Sequence, residues 1–186
     1  MLKHGILGLL SYGSMTGYDI TRTFKDSLSY FWSAQTSQIY RELQTLKANG
    51  WATDETVNQT GKPDKKVFTI TESGRKELNK WLTDDTAEFR MRSPMLMKIF
   101  FRGERSLDEN IEYFRKLYDD CINFALLMKN SPPNVEGYKN RVDDPSKSIY
   151  WGMTVEFGAM YAQMYMKWVE NCMKKLEELK NENTVD

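Results

Sequence analysis

The chain has 186 residues, of which 40% are hydrophobic and 28% charged, a composition typical of a folded globular protein rather than a disordered one. Its 26 basic and 26 acidic residues balance, which disfavours a protein that coats nucleic acid without sequence preference. The charge is uneven along the chain: residues 1–82 carry 11 basic and 8 acidic side chains, and residues 83–186 carry 15 and 18. We therefore expect any contact with phosphate to lie in the first half.

Several classes of protein are disfavoured by what the sequence lacks. It has no apolar run near the roughly 18 residues of a membrane helix and no convincing signal-peptide cleavage site, so we expect a cytoplasmic protein without a membrane partner. Cys121 and Cys172 do not form a CxxC pair, and His4 is the one histidine, so we predict neither a metal site nor a cofactor. No phosphate-binding loop, zinc-protease motif or nucleophile elbow is present, and we predict no enzymatic activity.

The first half predicts three helices followed by a β-hairpin and a fourth helix. Apolar spacing and capping residues place the first three helices at Leu2–Tyr12, Gly17–Leu28 and Thr36–Asn49, with Thr16 capping the second. Two short runs of β-branched and aromatic residues flank a turn-forming cluster at 58–65, and a helix then runs from Thr71 to about Leu82. This order of elements is that of a winged helix-turn-helix.

The second half is predicted to be helical. A polar linker at 83–92 precedes a helix over Pro94–Arg102, a second over Leu107–Lys129 that Ser131-Pro132-Pro133 ends, and a last helix from Asp144-Pro145 to about Asn181. The predicted fold class is therefore mainly α with a small β-hairpin. Its predicted domains are a winged helix-turn-helix at 1–82, the linker at 83–92 and a helical dimerisation domain at 93–186.

The last helix predicts a homodimer. At about 35 residues and about 1.5 Å per residue it would exceed 50 Å, and its apolar stripe is broader than one partner helix needs. A second copy of the chain is the simplest partner for that surface. The residues predicted to contribute to dimerisation, on this helix and the preceding long one, are Ile111, Phe114, Tyr118, Met153, Phe157, Met160, Met164, Trp168 and Leu176.

The third helix carries the side chains expected to meet double-stranded DNA. A helix in the major groove needs polar residues on its outer face, and Arg and Gln can each form paired hydrogen bonds to a base. Cations at the tip of the hairpin suit phosphate or minor-groove contact, and the start of the second helix offers main-chain N–H groups to an anion. The candidates are Ser37, Gln38, Arg41, Gln44 and Lys47 on the third helix, Lys62, Lys65 and Lys66 on the hairpin, and Thr16 and Tyr18 before and on the second helix.

Two alternatives remain open on these patterns. Winged helices also serve as protein-interaction modules, so the order of elements does not by itself establish DNA binding. Aromatic and methionine side chains of the last helix could also line a pocket for a small aromatic effector, although such a stripe is more often core or interface. The members of that stripe are Tyr150, Trp151, Met153, Met160, Tyr161, Met164, Tyr165 and Trp168.

The first 80 residues resemble the PadR family of winged-helix regulators, in particular its virulence-activator branch. The resemblance lies in TGYDITRTFKDSLSYFWSAQTSQIYRELQTL at 16–46 and GKPDKKVFTIT at 61–71, followed by Gly74-Arg75. The runs at 30–32 and 38–43 are its most specific parts. The resemblance implies a bacterial transcriptional regulator, repressor or activator, whose C-terminal helices join two winged helices over a pseudo-palindromic operator. It favours Ser37, Gln38, Tyr40 and Arg41 as the DNA-contacting residues of the recognition helix, and the three hairpin lysines as those of the wing.

Overall fold

The computed structural model describes residues 1–29, 31–57, 64–84, 93–139 and 144–182, and for 130–139 and Pro145 it describes the main chain alone. Seven α-helices and three β-strands are assigned in these ranges. Short 3-10 turns at Arg102–Glu104 and Pro145–Lys147 precede the two longest helices. The elements are α1 (Leu2–Leu10), β1 (Met15–Thr16), α2 (Gly17–Ser27), α3 (Thr36–Ala48), β2 (Ala52–Val57), β3 (Lys65–Ile70), α4 (Glu72–Leu82), α5 (Pro94–Phe100), α6 (Leu107–Lys139) and α7 (Ser148–Glu182).

The helix boundaries follow the capping residues in the sequence. The Thr16 hydroxyl accepts a hydrogen bond from the Asp19 N–H at 3.1 Å, and the Thr71 hydroxyl accepts one from the Gly74 N–H at 3.1 Å. These bonds satisfy main-chain donors that have no partner within their own helices. Gly50 lies just beyond the end of α3 at φ +68, a left-handed conformation that glycine adopts without steric cost. The winged helix-turn-helix predicted from the sequence is confirmed.

The sheet contains one strand more than the predicted hairpin. β2 and β3 pair antiparallel, with Ala52 opposite Ile70 and Val57 opposite Lys65. β1 pairs antiparallel with the other edge of β3, so the strand order is β1-β3-β2. The two-residue strand β1 ties the turn before α2 to the wing. It therefore fixes the position of the helix-turn-helix relative to the hairpin.

The first compact unit, residues 1–86 with 133–152, has its apolar core among α1 to α4 and the sheet. Gly74 lets α4 pack closely on the start of the wing, because a Cβ there would lie 2.1 Å from the Trp51 carbonyl oxygen. In the same unit, the Trp151 indole N–H donates to the Tyr12 hydroxyl at 3.1 Å. The core side chains of the first unit are Ile6, Leu7, Leu9, Leu10, Ile20, Phe24, Ile39, Leu43, Leu46, Ala52, Phe68, Ile70 and Leu78.

The second compact unit, residues 87–132 with 153–186, is built around α6 and α7. The two helices run antiparallel, since Asp108 pairs with Lys180 at 2.6 Å and Tyr118 donates to Glu170 at 3.2 Å. Buried side chains from both helices meet between them. The thiols of Cys121 and Cys172 are free, and burial raises the pKa of each. In the described part of the chain, no helix has the length and apolar character required to cross a bilayer.

Two helix boundaries depart from the expectation by more than two residues. α7 begins at Ser148, after the 3-10 turn Pro145–Lys147, and not at Asp144-Pro145. α6 continues to Lys139, so the predicted end at Lys129 is wrong. Pro132 and Pro133 lack main-chain N–H groups, and each therefore removes one helical hydrogen bond. The flanking residues nevertheless keep the helical conformation. The predicted linker at 83–92 lies largely outside the described residues, and residues 133–152 group with the first unit.

Candidate nucleic-acid interface

One face of α3 closes the core and the opposite face is exposed. Ile39, Leu43 and Leu46 recur at spacings of four and three, and each is at most 1% exposed. Since these side chains point inward, the intervening positions of the helix point away from the protein. The polar and aromatic residues predicted to meet DNA are all exposed there: Ser37, Gln38, Tyr40, Arg41, Gln44 and Lys47.

The side chains on this face differ in their hydrogen bonds and ion pairs within the protein. The Gln38 amide oxygen accepts the Gln35 main-chain N–H at 2.8 Å, which leaves the Gln38 NH2 group as the part free to recognise a base. Arg41 forms no ion pair with any residue that the structure describes. Its guanidinium, with five donors and a permanent charge, is therefore available to a partner. Paired recognition of adenine by Gln38 would require the Gln38 oxygen to leave the helix cap.

Tyr40 packs against the start of α2. A Cβ added to Gly17 would lie 2.7 Å from Cε1 of the Tyr40 ring. The ring is still 42% exposed, so its outer edge faces solvent. Glycine at position 17 thus permits a close approach of α2 and α3 and sets where the Tyr40 ring lies.

The predicted anion site at the start of α2 already holds a carboxylate. The Thr16 hydroxyl donates to the Asp19 carboxylate at 2.6 Å and accepts the Asp19 N–H at 3.1 Å. This negative charge opposes a phosphate at the same helix end. Tyr18 is 67% exposed, and the guanidinium of Arg22 lies 5.9 Å from the centre of its ring. Contact of Thr16 and Tyr18 with DNA stays a prediction.

Lys47 and one wing lysine, Lys66, meet a residue that sequence patterns did not predict. Lys47 pairs with one oxygen of Asp54 at 2.5 Å, and Lys66 lies 3.9 Å from the other oxygen. The hydrogen bond from Lys47 is the largest of several effects that hold the pKa of Asp54 below its usual value. Lys65 is exposed at the start of β3, and Lys62 lies outside the described residues. The sequence signal for this contact was an acidic residue on the strand that follows α3.

The residues predicted for dimerisation fall into two groups. Ile111 and Phe114 are buried, and Phe114 packs with the half-buried Tyr118, Trp168 and Leu176 in the core of the second unit. These residues are at least partly covered by their own chain. The other four lie on α7 at spacings of four and three and remain exposed. They are Met153, Phe157, Met160 and Met164, exposed by 54%, 66%, 63% and 52%.

Comparison with known sequences identifies the family. Residues 6–80 match the transcriptional regulator PadR-like family, and residues 91–177 match the virulence activator alpha C-term family. The negative transcriptional regulator PadR of Bacillus subtilis is 40% identical over 142 residues, which span 72% of this chain and 78% of that protein. This chain belongs to the PadR family. It is a PadR-like, DNA-binding transcriptional regulator, and its C-terminal half has the profile of the virulence-activator branch.

Solved structures of PadR-like proteins share the fold over nearly the whole chain. Bacillus subtilis PadR in complex with operator DNA superposes with a TM-score of 0.78 and 30% identity, covering 94% of this chain and 98% of that one. The same protein in complex with p-coumaric acid gives a TM-score of 0.72 and 28% identity, with 95% of each chain covered. The Vibrio cholerae virulence activator AphA, at 23% identity and a TM-score of 0.73, shows the shared fold over 96% of this chain and 99% of that one.

Proposed function

We propose that this PadR-like regulator reads the major groove of its operator with the exposed face of α3. The observation that carries the proposal is Arg41, which forms no ion pair with a described residue and stands on a rigid helix whose opposite face is fully buried. A buried inner face holds the outer face in place, so its side chains can reach base edges without a large ordering cost. Ser37, Gln44 and the NH2 group of Gln38 supply the neighbouring polar groups.

Substitution of Arg41 tests this proposal. Loss of a paired hydrogen bond to guanine costs about 1–3 kcal/mol, so Arg41→Ala should weaken operator binding roughly 10- to 100-fold. Arg115→Ala is the matched control, because Arg115 is an exposed arginine on α6 in the second unit. Fluorescence anisotropy with operator and random duplexes measures both variants. Equal affinities of the Arg41 and Arg115 variants for the operator would contradict the proposed reading helix.

We also propose that the chain acts as a cytoplasmic homodimer on a pseudo-palindromic operator, joined through α7. The four exposed side chains Met153, Phe157, Met160 and Met164 support this interface, because they form a continuous apolar stripe on one helix face. Apolar stripes of this kind on a folded protein are typical of association surfaces. The side chains already enclosed between α6 and α7 are left out of the proposed interface.

A second candidate function is a response to a small aromatic effector. Its support is the structural similarity to Bacillus subtilis PadR in complex with p-coumaric acid. We propose that a planar phenolic acid binds this chain and changes its affinity for DNA. Titration with p-coumaric acid, followed by tryptophan fluorescence and by release of a labelled operator, tests the proposal. Unchanged fluorescence together with unchanged operator affinity at millimolar acid would contradict it.

A further inference from the structure

One carboxylate lies between the recognition helix and the wing. Asp54 stands on β2, and its two oxygens face two lysines from different elements. Lys47 of α3 lies 2.5 Å from Oδ1, and Lys66 of β3 lies 3.9 Å from Oδ2. The Asp54 side chain is only 8% exposed, whereas the two lysines are about half exposed. The carboxylate is therefore at the edge of the core, with both cations on its solvent side.

The strand register explains how this arrangement arises. Asp54 pairs with Phe68 across the β2–β3 ladder, and Thr56 pairs with Lys66. Residues two apart on a strand share a face, so Asp54 and Lys66 are diagonal neighbours on the same face of the sheet. Phe68 is buried on that face. A carboxylate placed beside a buried phenylalanine loses hydration, and it is stable there when cations replace the lost water.

This arrangement changes what Lys47 can offer to DNA. An ammonium group at 2.5 Å from a carboxylate oxygen has its charge largely neutralised by that carboxylate. Two lysines and one aspartate carry a net charge of +1, whereas the lysines alone would carry +2. A phosphate approaching this corner therefore meets a weaker positive field than the lysine count implies.

We infer that Asp54 is a positioning residue, which fixes α3 relative to the wing through Lys47 and Lys66 and withholds the Lys47 charge from the DNA backbone. This inference rests on the proposed function of α3 as the reading helix. Its consequence is specificity. A neutralised Lys47 contributes little to the binding of random sequences. With the wing held in place, the affinity depends mainly on the base contacts of α3.

Salt dependence separates this role from a purely structural one. Each phosphate neutralised contributes a slope of about 0.9 to the dependence of log affinity on log salt concentration. Asp54→Asn keeps the shape of the side chain and frees Lys47. The salt dependence of binding to random duplex should therefore become steeper by about one unit, and the affinity for that duplex should increase several-fold. Lys47→Met alone should change the slope by clearly less than one, because Asp54 already offsets most of the charge that this variant removes. The double variant should return to the wild-type slope.

A matched control removes the effect of net charge. Glu55→Gln takes away the same charge from the adjacent, exposed position of β2, and should change the slope far less than Asp54→Asn does. Loss of about one unit of slope in Lys47→Met would overturn the inference, because Lys47 would then already contact phosphate. An unchanged slope in Asp54→Asn would overturn it equally.

A measurement without DNA distinguishes failure of this inference from failure of the proposed function. In urea unfolding of the full chain, Asp54→Asn should lower the midpoint in the wild-type background and lower it less in the Lys47→Met background. Equal shifts in the two backgrounds would overturn the link between these residues. If the wild type binds no duplex DNA, the proposed function fails. The comparison of single and double variants in urea still tests whether Asp54 and Lys47 interact.

Discussion

The exposed face of α3 is polar, whereas the exposed stripe of α7 is apolar. On α3 the inner positions are fully buried, and the outer positions carry Arg41, Gln44 and other polar side chains. On α7 the side chains that pack against α6 are enclosed, whereas Phe157 and three methionines of the same helix are exposed. The first face can exchange hydrogen bonds with a polar partner. The second gains from contact with another apolar surface.

This difference shows that exposure alone does not identify a partner. A polar face on a rigid helix next to a basic hairpin is typical of DNA recognition. An apolar stripe on a long helix is typical of self-association, since a second copy presents the same stripe. The two faces therefore predict separate defects: variants on α3 should change which DNA is bound, and variants on α7 should change how many chains bind it.

Phe157→Glu should have the largest effect. A carboxylate in the apolar stripe would be desolvated in a dimer, so the full chain should sediment as a monomer. A monomer loses the second half-site, and we expect operator affinity to fall by about 100-fold or more. Because Phe157 is 66% exposed, the fold of each chain should be retained.

Gln163→Glu provides the control for that variant. Gln163 is exposed on the same helix, so the same side chain is introduced outside the apolar stripe. This variant should sediment as the wild type does and bind the operator with the same affinity. If Phe157→Glu also remains dimeric at micromolar concentration, the stripe is not the interface and the contrast between the two faces is lost.

Gly17→Ala should have an intermediate effect. The added methyl group would lie 2.7 Å from the Tyr40 ring, which must move and disturb the packing of α2 on α3. Because the ring is partly exposed and can move, we expect the free energy of unfolding to fall by only about 1 kcal/mol, measured in urea. Gly8→Ala is the control, because among the described residues no atom from outside its own helical turn lies within 4 Å of its Cβ position. There the substitution should be neutral or stabilising by up to about 1 kcal/mol.

Removal of the Tyr40 side chain tests whether the effect of Gly17→Ala arises from contact with its ring. In a Tyr40→Ala background the obstructing ring is absent, so Gly17→Ala should no longer destabilise the chain. A destabilisation of the same size with and without the ring would show that Gly17 is required for another reason. The position of Tyr40 on the DNA-facing surface would then need a different explanation.

Lys65→Ala should have the smallest effect. Lys65 is exposed at the tip end of the β2–β3 ladder, opposite Val57, and forms no ion pair with a described residue. If it contacts one phosphate, the salt slope of operator binding should fall by about 0.9 and affinity should fall only a few-fold. Lys76→Ala, an exposed lysine on α4, is the matched control. An identical slope in both variants would remove Lys65 from the interface.

Local signals in the sequence predicted most of the fold. Thr16 and Gly50 mark helix ends through their own hydrogen bonding and backbone conformation, and the inward stripe of α3 follows from spacing alone. Features that depend on distant pairing were missed. β1 exists because Met15 pairs with Phe68, and the partner of Lys47 depends on where the register places Asp54.

The division of the apolar stripe was also beyond the sequence. Periodicity shows that Phe157 and Trp168 lie on apolar positions of one long helix. It does not show that α6 covers the second residue and leaves the first exposed. That distinction depends on where the antiparallel neighbour packs, and the buried Phe114, Cys121 and Val169 lie where α6 and α7 meet in the folded chain.

Footprinting of the full chain on the DNA upstream of its own gene tests the central claim most directly. Two winged helices joined through α7 predict two protected half-sites related by a dyad, with centres about 10–10.5 base pairs apart or a multiple of that spacing. At the lowest concentration at which the wild type protects both half-sites, Arg41→Ala should leave both of them unprotected. A single protected half-site without a symmetric partner, or no protection at any duplex sequence, would contradict the account.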